Sequence, residues 1–188
     1  MRWDALFEDM EAQLAARQRL DLEAEVAERA LADAAAVELA SRLRGSLGRS
    51  IRVHVSSGTA FEGALSHAGS EALVLDEPMH QVLIPYAAAA QFAGLSRLAV
   101  EPSRVRHRLG LGSALRGLAG SRTPVTILVA RGRAEAEQYG VIDTVGRDFL
   151  DLAVMQVGED RRPAGVRQVV TIPFAALAAI RSASPAGN

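Results

Sequence analysis

The stretch QVLIPYAAAAQF runs from Gln81 to Phe92, and VVTIPFAALAAI runs from Val169 to Ile180. Each carries Ile-Pro, then an aromatic residue, then an alanine-rich apolar run. Proline has no N–H to give to a sheet ladder, so an Ile-Pro step belongs at a strand end or edge. The chain therefore needs two places where a buried strand stops in the same way. The echo extends backwards. Leu43-Arg44-Gly45 and Leu115-Arg116-Gly117 stand 72 positions apart, and Val53 and Val125 keep that spacing. Gly63 and Gly140, Leu73 and Leu150, and Leu75 and Leu152 follow at a spacing of 77, and Pro85 and Pro173 at 88. The growing spacing places extra residues within ARGRAEAEQ and QVGEDRRPAGVRQ, where turns are expected and insertions are tolerated.

Between these anchors the apolar period is two. IRVHV alternates Ile51, Val53 and Val55 with Arg52 and His54, and AFEGAL, ALVLD and QVLIP follow at turn-separated intervals. YAAAAQFAG closes the run as a short helical turn or a last strand. From Val125 the same rhythm returns in VTILV, QYGVIDTV, FLDLAV and VVTIP. Short antiparallel strands at this spacing predict a small barrel in each copy. A helix precedes each one.

Residues 2–48 hold no proline, and no glycine before Gly45, and are rich in helix formers. Trp3, Phe7, Met10 and Leu14 step by one helical face. The phase breaks at RQRLD and resumes with Leu22 and Val26, which fits one long helix or two packed ones. The expected architecture is α+β: an amino-terminal helical arm (1–48), a first small barrel (49–98), a basic linker with a short helix (99–122), a second small barrel (123–182) and a tail (183–188).

IRVHVSSGTAFEGALSHAGSEALVLDE resembles the first motif of the Sm-like family, with its bending glycine and Leu-x-Leu-Asp, within the wider class of SH3-like small barrels. The opening MRWDALFEDMEAQL resembles a set of actinobacterial proteins. The resemblance implies a helix followed by a strongly bent five-stranded barrel, in tandem. It does not carry over the family's RNA site. His67-Ala68-Gly69-Ser70-Glu71 stands where Asp and Asn are usual, and Pro85-Tyr86 and Pro173-Phe174 replace Arg-Gly; in the second copy Asp143 and Asp148 flank Gly146-Arg147.

Composition narrows the chemistry. The chain has no cysteine, which excludes thiolate metal sites and cysteine nucleophiles. All 21 basic residues are arginine, which excludes lysine Schiff bases and a P-loop lysine. His54, His67, His80 and His107 lack metal-ligand spacing. Asp143, Asp148 and Asp151 read as turn and strand-end residues. GLGSALRGLAG from Gly110 starts with Gly-x-Gly before a helix but lacks the third glycine of a nucleotide loop. No enzyme, cofactor or metal is expected.

Two surfaces invite partners. The Trp3, Phe7, Met10, Leu14 face is an apolar stripe suited to a protein partner or to self-association. The linker carries Arg104, Arg106, Arg108 and Arg116, which suit phosphate contacts with RNA or DNA. The net charge of −1 gives no global attraction to nucleic acid. The amino terminus has no apolar signal region, and no apolar run reaches a membrane span, so a cytoplasmic interaction or scaffold protein is expected, with nucleic-acid regulation as the alternative.

Overall fold

The computed structural model describes residues 2–101, 110–132, 134–155 and 168–183. The chain divides into two compact units, the first ending at Glu38 and the second starting at Leu39. The first unit is α1 (Arg2–Ala35), a single helix of 34 residues that runs straight through the phase break at RQRLD. At 1.5 Å per residue it is about 50 Å long. No helix among the described residues is long and apolar enough to cross a membrane.

The second unit opens with α2 (Leu39–Arg44) and continues through β1 (Ser50–Val55), β2 (Ala60–Ala68), β3 (Ala72–Asp76), β4 (His80–Pro85) and β5 (Ala89–Ala93). Helix α3 (Leu111–Ser121) then leads into β6 (Val125–Arg131), β7 (Ala134–Val145), β8 (Phe149–Val154), β9 (Gln168–Pro173) and β10 (Leu177–Ala183). In β1 the alternation puts Ile51, Val53 and Val55 inside and leaves Arg52 exposed, as a half-buried strand demands.

The two separate Sm-like or SH3-like barrels expected from the sequence are not what forms. All ten strands join one open antiparallel sheet, in the order β5-β1-β2-β3-β4-β10-β6-β7-β8-β9. The joint is the pairing of β4 with β10, with Leu83 opposite Ile180, Val82 opposite Arg181, Gln81 opposite Ser182 and His80 opposite Ala183. Two free edges would each leave a row of unpaired backbone groups; pairing them removes both rows.

The apolar cores confirm the merger. One core is built on Ile51, Val53, Phe61, Leu65, Leu73 and Leu75, with Leu43 of α2, yet it takes in Leu128, Ala178 and Ala179 from beyond the joint. The other is built on Val125, Ile127, Ile142, Leu150, Leu152 and Ile172, with Leu111 and Leu115 of α3, and takes in Ala72 and Leu83. Leu128 and Ile127, adjacent on β6, point into different cores. The seam strands are therefore buried on both faces. Glu135 of β7 also accepts hydrogen bonds from Ser57 and from Thr59 (2.8 Å) in the β1–β2 turn.

Within the sheet the local geometry recurs. The strand order around the first five strands is the order around the last five. Gly69 N–H donates to Ala72 O and Gly146 N–H to Phe149 O, both at 2.9 Å. Tyr86 N–H reaches Glu71 O and Phe174 N–H reaches Asp148 O, both at 2.8 Å. Pro85 (φ −63°, ψ 140°) and Pro173 (φ −63°, ψ 143°) each open one 3-10 turn that turns the chain into the next strand. YAAAAQFAG is thus both a helical turn and a strand. After β5 the chain returns to α2: Val100 N–H donates to Ser41 O (2.9 Å), and Arg44 Nε donates to Val100 O (2.8 Å).

Gly63 and Gly140 sit where β2 and β7 pass close to the backbone of the next strand. A Cβ at Gly63 would lie 2.6 Å from the Asp76 carbonyl oxygen, and one at Gly140 would collide with the Ala153 carbonyl. Gly63→Ala and Gly140→Ala are each expected to lower stability by about 1–3 kcal/mol, because the clash is with backbone that has to shift. Urea unfolding checks this, and an unchanged midpoint in either variant would refute the close approach at that glycine.

Candidate interaction surface

On α1 the apolar stripe is uncovered. Trp3 is 72% exposed, Phe7 59%, Met10 57% and Leu14 59%. Leu20, Leu22, Val26 and Leu31, further along the same helix, are also more than half exposed. This leaves aromatic and aliphatic side chains along the helix exposed to solvent.

The basic linker divides. Arg104, Arg106 and Arg108 lie outside the described residues, as does His107. Arg116 is exposed on α3 and borders a cleft with Gly112 and Arg147. The glycine-rich start of α3 is occupied. Gly110 supplies no side-chain cap, and the Leu111 N–H donates to Glu71 Oε2 at 2.8 Å. A carboxylate at a helix amino terminus satisfies an orphan donor and the helix dipole together. The position that would attract a phosphate is held by the chain's own Glu71.

The two Ile-Pro-aromatic stretches converge beside this helix start. A cleft of about 410 Å³ is bordered by Tyr86, Phe174, Leu111, Arg147 and Ser70. Tyr86 is fastened there: its hydroxyl donates to Gly69 O at 2.9 Å. Burial pushes the Tyr86 phenol up to about 12, and the nearby Arg44 charge only partly offsets this.

The polar residues singled out in sequence do not gather. Among the described residues, no three His, Asp or Glu side chains come together as metal ligands. Asp143 and Asp148 are exposed, and Asp151 accepts a hydrogen bond from Thr171 Oγ1 at 2.6 Å.

Sequence patterning gives no sign of the remaining feature, the two ends of the sheet. Among the described residues, strand β5 pairs only with β1, and β9 only with β8. Both are largely solvent-facing, whereas β4, at the joint, buries its last four residues. Val169 on β9 is 55% exposed. Such edges invite strand addition.

Two predictions follow from these surroundings. Because Tyr86 ionises late, the stability it contributes as a neutral phenol is fully present below about pH 10 and is lost as pH rises through about 12. Ultraviolet titration is expected to show a phenol still protonated at about pH 11, absent in Tyr86→Phe; complete ionisation by then would contradict the burial. Replacing Trp3 and Phe7 by Ala is expected to change unfolding free energy by less than about 0.5 kcal/mol, as exposed positions do. A larger loss would mean that this face is covered in the folded monomer.

No known protein family matches this chain, and no curated protein matches it in sequence.

Proposed function

We propose that this is a cytoplasmic interaction protein that assembles edge to edge with further copies of itself and offers α1 as an apolar arm to a protein partner. The reading takes the sheet as an internal duplication. The recurring strand order, the matched turns and the matched Pro85 and Pro173 corners support it.

The observation that carries the proposal is the β4–β10 joint. Strand β9 holds the place in the second half of the sheet that β4 holds in the first, and β5 holds in the first half the place of β10. The chain thus contains one completed joint and both partners of another. Transferring the register of the completed joint puts Val170 of one copy opposite Ala93 of the next, and Val169 opposite Gly94. Head-to-tail pairing of this kind generates rings where the rotation closes and filaments where it does not.

Light scattering is expected to show a mass that rises with protein concentration. Lysine on an edge strand discourages strand addition. Val169→Lys disables the β9 edge, and Gln91→Lys disables the β5 edge. Each variant alone is expected to stay monomeric, while an equal mixture forms dimers that grow no further, because one good edge of each kind remains. A wild-type chain that stays monomeric at every concentration, or variants that assemble unchanged, would remove this reading.

A further inference from the structure

An arginine stands in the middle of the sheet and, among the described residues, makes no ion pair. Arg181 lies on β10, opposite Val82 on β4 and Thr126 on β6, and Thr126 in turn lies opposite Tyr139 on β7. Register partners share a face, so these four side chains form one row across the seam. The neighbouring row, Ala179 and Leu128, belongs to the first core. Arg181 is therefore where that core ends.

The guanidinium carbon sits 5.2 Å from the centroid of the fully buried Phe61 ring, an arrangement that holds a cation in place without neutralising it. Arg181 Nε is buried and, among the described residues, has no hydrogen-bond partner. Among the described residues, no carboxylate lies within ion-pair distance of it. A buried donor on a charged group, left unpaired, is costly to the fold.

The row opens onto a pocket of about 390 Å³, within the size range of small-ligand sites. Besides Arg181, its lining residues include Thr126, Tyr139 and His80, which share the Arg181 face of the sheet and carry groups able to donate. Glu137, on the exposed side, is the lining residue that offers a negative charge. A planar guanidinium fork flanked by hydroxyl donors matches the oxygens of a carboxylate or phosphate. Glu137 disfavours a second negative charge nearby and suits a hydrogen-bond donor at the far end of the ligand.

We infer that the seam pocket binds a small molecule through a single oxyanion, with Arg181 as the anchor and Thr126 and Tyr139 as flanking donors. The site depends on the β4–β10 joint within one chain and not on assembly between chains.

The test is a titration of the full chain, followed through the Arg181 Nε–Hε resonance and the Thr126 and Tyr139 amides. Inorganic phosphate and acetate serve as separate probes, with chloride at matched ionic strength as the control. The expected result is a saturable shift of all three signals with phosphate or acetate and none with chloride. Whichever probe saturates at lower concentration identifies the oxyanion. Arg181→Gln is expected to abolish the shifts at Thr126 and Tyr139. Tyr139→Phe, which removes only a hydroxyl, is expected to weaken binding by about tenfold and keeps the test open should the arginine variant not fold. Shifts equal to those with chloride, no shift with either probe, or unchanged binding in both variants would overturn the assignment.

Discussion

The pairing of β4 with β10 is the constraint on which the rest of the sheet-bearing unit depends. Among the described residues four residue pairs make it, and it decides where two apolar cores exchange side chains. Leu83 on β4 enters the core built mainly by the later strands, and Ala179 on β10 enters the earlier one. Removing the joint would expose both backbones and uncover apolar surface on both faces. The cost would combine unsatisfied ladder groups with lost burial, and neither half would keep a closed core. A joint this embedded behaves as core and not as a hinge.

The Pro85 and Pro173 corners serve the joint from either end. Proline stops the ladder, its fixed φ starts the 3-10 turn, and the aromatic N–H is taken by a carbonyl one strand away. Alanines then let the chain run on closely into β5 or β10. The corner after Pro173 delivers β10 to a waiting partner, β4. The corner after Pro85 delivers β5, which among the described residues pairs with β1 alone. Identical local chemistry thus ends in different circumstances.

The seam also explains the placement of a cation that no local rule anticipates. A strand buried on both faces has little room for a charge, and Arg181 is accommodated by resting on Phe61 where the core gives way to a pocket. Glu71 illustrates the opposite outcome. It, too, is a charge beside an apolar corner, but a helix start lies within hydrogen-bond reach and takes it up. One charge is taken up by the fold, and the other, among the described residues, makes no ion pair.

Much of this was legible in the residues. Alternation in IRVHV and VTILV, the bending glycines at 63 and 140 and the strand-ending prolines at 85 and 173 are local consequences of side-chain volume and backbone chemistry, and they locate strands, bends and corners wherever the chain goes. The absence of proline and early glycine likewise marked residues 2–48 as helical, of which α1 takes up 2–35, and the stripe from Trp3 to Leu14 was readable as a face. Two separate barrels were the wrong conclusion because period-two patterning tells which face of a strand is buried and never which strand lies beside it. Residues such as Leu83 and Leu128 look alike whether they close a private core or share one. Arg181 offered a faint signal, a lone charge after the apolar run LAAI, but its meaning depends on Phe61, Thr126 and Tyr139, far away in sequence. Edges, seams and pockets are made by pairing between distant segments, and only the tertiary structure decides that pairing.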